Sequence, residues 1–139
     1  MIFRPFKPED YEAISESVRM YSGKIDKNFF EIIKNGVNTT IEDNGKVLAC
    51  GGVVQIKDNV AEAWIKVSKD AVGTGVFRLI RDGFSILIES IKYDGLVIQA
   101  MILSNFAKGA RLAKALGFYK TVDSIEINGE RYDRYVKAI

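Results

Sequence analysis

The chain contains no histidine, so the commonest general base and a common zinc ligand are both missing. Ser-His and Cys-His mechanisms are excluded, and any catalysis must rest on carboxylates, hydroxyls, amines or the backbone. The single cysteine, Cys50, sits in the apolar run 47–54; a buried structural thiol is expected there rather than a nucleophile. Gly73-Thr74-Gly75 offers a different chemistry. A glycine-rich turn entering a helix presents backbone N–H groups at the positive end of the helix dipole, and the missing Cβ atoms let a pyrophosphate approach. The plainer alternative is a loop glycine at positive φ. Glu62 is a strand carboxylate on a face shared with Trp64, Lys66 and Ser68. An ion pair with Lys66 is the alternative to any catalytic use, and Trp64 either packs in the sheet or lines an acceptor slot.

The elements that must position these groups follow from periodicity and turn chemistry. Residues 2–6 read as a strand, after which Pro8 opens a helix with Tyr11, Ile14 and Val18 on one face. A second helix is expected from Asp26 as N-cap, burying Phe29, Phe30 and Ile33 and stopping at Gly36. Asp43-Asn44-Gly45 joins two β-branched runs, 39–42 and 46–56, as a hairpin. Lys57-Asp58-Asn59 turns the chain into 60–68, where Ala61, Ala63, Ile65 and Val67 alternate with the mixed face of Glu62. Beyond the glycine turn, Phe77, Ile80, Phe84, Leu87, Ile88 and Ile91 fall at helical spacing. The apolar run 96–103 predicts a strand covered on both faces. Ser104 or Asn105 is expected to cap a helix that buries Phe106, Ala110, Ala113 and Leu116 and ends at Gly117. Strands 121–127 and 131–136 around Asn128-Gly129 form a terminal hairpin. Its Arg131, Tyr132, Arg134 and Tyr135 make an ordinary edge or a dimer or acceptor surface.

At 139 residues, with 47% hydrophobic and 27% charged residues, the chain predicts one α/β domain, residues 1–139, with a single fold unit and no internal repeat. A net charge of +2 without a basic stripe disfavours nucleic acid as a partner. No apolar run reaches bilayer length and the first five residues lack a secretory layout, so a cytoplasmic protein without membrane contact is expected.

The order β-α-α-β-β-β-α-β-α-β-β resembles that of the GNAT (Gcn5-related N-acetyltransferase) family over essentially the full length. Four stretches carry the likeness. Phe3-Arg4-Pro5-Phe6-Lys7-Pro8-Glu9-Asp10 looks like the family's first strand and helix start, and Gly45-Lys46-Val47-Leu48-Ala49-Cys50-Gly51-Gly52 like its second hairpin strand. Gly73-Thr74-Gly75 stands at the family's acetyl-CoA junction, and Asn105 through Leu116-Gly117-Phe118 resembles its last helix. The resemblance implies a mixed, mostly antiparallel sheet of six to seven strands with helices on both faces. It also implies an acetyl-CoA-dependent N-acyltransferase acting on a small amine or a protein amine; a homodimer is an expectation from the terminal hairpin's surface.

The same resemblance implies roles for particular residues. Backbone groups of Val67 and Ser68, on a strand diverging from 96–103, would pair with pantetheine; Gly73, Thr74, Gly75 and Val76 would meet the pyrophosphate; Asn105 would lie beside the pantetheine arm or serve only as a cap. Glu62 would be the general base. The sequence departs from the family pattern in two places. With Gly73 and Gly75 as the small residues of the junction, Asp70 replaces the usual Gln or Arg; with Gly75 as the first, Val72 and Phe77 stand at the outer positions. Where the family often has a tyrosine acid this chain has Ala113, leaving Tyr119 and Ser104 as the nearby hydroxyls. These departures keep a second reading open, a catalytically degenerate GNAT-like domain, of the kind some bacteriophages carry, that serves in binding or assembly.

Overall fold

The computed structural model describes residues 1–14, 17–19, 27–71, 75–127 and 129–139. Its strands are β1 (Ile2–Pro5), β2 (Ser17–Arg19), β3 (Val37–Asp43), β4 (Lys46–Lys57), β5 (Val60–Ser68), β6 (Val97–Leu103), β7 (Tyr119–Ile127) and β8 (Glu130–Ala138). The helices are α1 (Pro8–Glu12), α2 (Lys27–Ile33), α3 (Val76–Ile91) and α4 (Ala107–Ala115), with a single 3-10 turn at Lys69–Ala71. The sheet runs β1-β3-β4-β5-β6-β8-β7, with β2 joined to β5 off that path. Among the described residues β5 and β6 are the one parallel pair. This is the mixed, mostly antiparallel sheet that the resemblance implies, seven strands on its main path with β2 as an eighth.

Turn chemistry fixes the hairpins. Asn44 and Gly45 both take positive φ, 50° and 82°, the requirement of the two-residue turn whose twist matches its flanking strands. The alternation along β5 then sorts its side chains onto two cores. Ala61, Ala63 and Val67 join Ile98, Ala100 and Ile102 beneath α3 and α4. Trp64 lies on the opposite face in an aromatic cluster with Phe6, Tyr11 and Phe29, ring centroids 5.1, 6.1 and 5.3 Å away. Its indole N–H donates to Asn38 Oδ1 at 3.0 Å, and Asn38 Nδ2 donates to the Ile33 carbonyl at 2.6 Å. A buried indole thus finds its acceptor and fastens the end of α2 to the sheet.

The first helix is locked to the sheet by charge. The Arg4 guanidinium grips Asp10 with two hydrogen bonds of 2.8 and 2.7 Å and reaches Glu42 at 2.9 Å. Thr40 Oγ1 and the Lys7 amide each donate to Asp10 Oδ2 at 2.8 Å. β1, α1 and β3 therefore meet at one carboxylate that is 4% exposed. Gly52 on β4 is a close-approach site: a Cβ there would overlap the Val37 carbonyl and Asn38 on β3. Gly52→Ala is expected to cost about 1–3 kcal/mol through overpacking against backbone, read as a lower urea midpoint with an unchanged m-value.

Three sequence expectations are corrected. α1 stops at Glu12, and Val18, expected on its apolar face, lies in β2. The 11, 14, 18 spacing fits a helix, but the open edge of β5 offers Ser17–Arg19 a ladder that one more helical turn could not match. Phe77, expected in the core, is 46% exposed, because the buried stripe of α3 starts at Val76 and continues through Ile80 and Ile88. The N-cap of α4 is Phe106, not Ser104 or Asn105. The apolar face of that helix includes Leu112 beside Ala113. Asp26 lies outside the described residues. No helix among the described residues is long and apolar enough to cross a membrane.

Candidate active site

β5 and β6 run side by side for three residue pairs: Val60 with Val97, Ala61 with Ile98, and Glu62 with Gln99. Past that point β6 continues to Leu103 bonded to β8 on its far side, and β5 stays bonded to β4 as far as Val67. The two strands open a wedge with its apex at Glu62. Beyond it, β5 is followed along the chain by the 3-10 turn and α3, and β6 by Ser104, Asn105 and α4.

The chain itself enters this wedge. Ser17, Val18 and Arg19 pair antiparallel with Ser68, Val67 and Lys66. The same Lys66 and Val67 already pair with Cys50 and Ala49 of β4. A strand has two edges, so β2 must lie on the edge that faces β6, where it also packs against α4. The gap is therefore wide enough for one extended chain at ordinary strand spacing. The backbone groups at Val67 and Ser68, expected to stand free for pantetheine, are paired instead with Ser17 and Val18.

At the apex Glu62 is half-buried, and burial pushes its carboxyl above the usual carboxylate value of 4.5, while a hydrogen bond from Gln99 pulls it back. The Gln99 Nε2 donates to Glu62 Oε1 at 3.4 Å, and the Gln99 Oε1 accepts from Arg134 Nε at 2.9 Å. Lys66, the sequence's ion-pair candidate for Glu62, turns its Nζ to the Tyr11 carbonyl at 2.8 Å and lies 3.9 Å from that ring's centroid. Cys50, on the same sheet face, is buried, and that burial raises its thiol to about 12. It is inert at neutral pH.

The other residues singled out from sequence are spread around the wedge. Gly75 takes φ 84° and caps α3, while the Val76 side chain is fully buried in the core. Gly73 and Thr74 lie outside the described residues. Asp70 bonds Lys46 at 3.0 Å and so turns toward β4 and away from the wedge. Ser104 and Asn105 form an exposed turn after β6, five and six residues from Gln99 along the chain. Tyr119 shares Glu62's row through Gln99 and Val136. Three strand spacings separate them, about 14 Å. Neither hydroxyl is brought to Glu62. Sequence reasoning missed Gln99 and read Arg134 only as part of the terminal hairpin's edge or surface. Gln99 had a visible signal, since it is the sole polar residue in the run 96–103.

No family model and no curated protein matches the sequence. Solved structures do match over nearly the whole chain. A ribosomal-protein-alanine N-acetyltransferase from Brucella melitensis superposes with a TM-score of 0.69 at 14% identity, covering 100% of both chains. A GCN5-related N-acetyltransferase from Kribbella flavida gives 0.68 at 15% identity, covering 99% of this chain and 97% of that one. An IAA acetyltransferase from Bacillus cereus gives 0.67 at 14% identity, covering 99% of each. The mixed, mostly antiparallel sheet with helices on both faces is thus the fold of these GCN5-related N-acetyltransferase structures.

Proposed function

We propose that this chain is an acyl-CoA-dependent N-acyltransferase, with acetyl-CoA as donor and a small or protein amine as acceptor. The observation that carries the reading is the split of β5 from β6 directly above a carboxylate whose proton affinity is raised by burial. Glu62 takes the proton of the acceptor ammonium, and the freed nitrogen attacks the thioester carbonyl. The C–N bond forms, the C–S bond breaks, and the second proton, shed by the new amide nitrogen, goes through solvent to the departing thiolate, after which Glu62 releases the first proton to solvent. The domain spans residues 1–139, and Gly75 would lie beside the donor's pyrophosphate.

The placement of β2 favours a second reading, in which the domain binds or assembles with its slot permanently filled. The two readings differ in what happens when β2 is removed. Replacing Ser17 and Val18 together by proline deletes the amide donor from whichever of the two faces β5. If β2 competes with the donor, the double variant should bind acetyl-CoA roughly tenfold more tightly by calorimetry, the equivalent of about one net hydrogen bond in a short ladder. No binding by either protein at millimolar acetyl-CoA would end the transferase reading and leave the closed slot.

A further inference from the structure

The Glu62–Gln99–Arg134 line contains a constraint that its distances alone do not express. A guanidinium has donors and no acceptor. The Gln99 atom that meets Arg134 Nε at 2.9 Å must therefore be the amide oxygen, which forces the amide NH2 toward Glu62. A glutamine without such a partner could turn over and offer its oxygen instead. That orientation would favour the protonated carboxyl, whereas the NH2 favours the carboxylate. Arg134 is held in place in turn, since its carbonyl accepts from Thr121 Oγ1 at 3.1 Å and its guanidinium lies 3.7 Å from Asp123.

We propose that Gln99 and Arg134 are positioning residues for Glu62: Arg134 fixes the Gln99 amide so that its NH2, and not its oxygen, meets the carboxylate at the apex of the wedge. The role rests on the transferase reading, but the geometry makes it measurable without any substrate. Burial and the Gln99 bond are the causes acting on Glu62 itself, and the neighbouring groups belong to three elements. Lys66 stands two pleats along on β5, Cys50 and Val54 lie on the same face of β4, and Asp123 on β7 acts through Arg134. Lys66 and Cys50 are unchanged by the substitutions below, so they contribute a constant background.

The test is the titration midpoint of Glu62, followed by carbon NMR of labelled carboxyls in the substrate-free full chain. Gln99→Met, close in volume, should move the midpoint upward, and Arg134→Met should do the same without touching Glu62. Arg134→Lys, which keeps a donor against the amide oxygen, should restore most of the wild-type midpoint. The decisive comparison is a double-mutant cycle: combined with Gln99→Met, Arg134→Met should add little further shift. An equal Arg134→Met shift in both backgrounds would mean that Arg134 acts by charge alone and would overturn the proposal. So would an unmoved midpoint in Gln99→Met. Amide spectra of each variant report whether the fold is intact; should Gln99→Met fail to fold, Gln99→Leu takes its place in the cycle. Failure of acetyl-CoA to bind would remove the transferase reading and leave this titration result standing or falling by itself.

Discussion

Glu62→Gln is expected to lower kcat/KM for amine acylation about 10²–10⁴-fold, the usual contribution of a positioned base, while raising the thermal midpoint of the protein. The two effects share one cause. Burial of Glu62 disfavours its charged form and raises its proton affinity in the fold. A carboxyl whose folded value lies above its unfolded value destabilises the folded state at higher pH, because the unfolded chain ionises it more easily. The glutamine variant escapes that penalty and still offers Gln99 an oxygen to donate to. Its stability advantage should be present at pH 7 and vanish as the pH falls below 4.5, where both states carry the proton. The wild-type rate should rise with pH along an acidic limb set by the same group. A variant that loses activity and also loses stability at pH 7 would show that Glu62 is a structural carboxylate with no burden of charge.

Asp10→Ala should destabilise the fold by about 3 kcal/mol at pH 7. That is the low end for breaking a buried ion pair, because the Arg4 side chain remains one-fifth exposed and partly screened. The substitution strands Arg4 and removes the acceptor for Thr40 and the Lys7 amide. The pH dependence runs opposite to that of Glu62. Burial alone would raise the Asp10 carboxyl, but hydrogen bonds from Arg4, the Lys7 amide and Thr40 outweigh it and hold the group at about 2, against an ordinary value of 3.8. The Asp10 contribution is therefore complete above pH 3.8 and is lost as the pH falls toward 2. Urea midpoints of wild type and Asp10→Ala should converge across that interval. A constant gap down to pH 2 would place the effect in packing alone.

Local rules sufficed for much of the architecture. Asp43-Asn44-Gly45 can close only a tight hairpin, because positive φ at two successive residues selects Asn and Gly. The alternation along 60–68 states which side chains of β5 share a face, since a strand's period is two whatever surrounds it. The unbroken run 96–103 likewise announces a strand covered on both faces. These signals lie within a few residues of one another, and the buried thiol of Cys50 followed from its apolar neighbours in the same way.

The site was less legible, because its parts are joined by contacts between residues 35 or more apart in sequence. Gln99 to Glu62 and Arg134 to Gln99 are such contacts, and nothing near Arg134 in the chain indicates a partner on β6. Tyr119 looked available as an acid by its sequence position, yet sheet order places it three strands from the apex. The fate of Val18 shows the same limit most clearly. Its spacing from Tyr11 and Ile14 satisfies a helix, but the unpaired edge of β5, created only when β6 diverges, draws Ser17–Arg19 into the wedge. The sequence by itself determined the hairpin turns, the long strands and their faces, through steric and hydrophobic rules that act locally, but not the short strand β2. The tertiary structure alone decided which polar groups meet at the apex and what fills the slot above it, since an unsatisfied strand edge is a property of the assembled sheet.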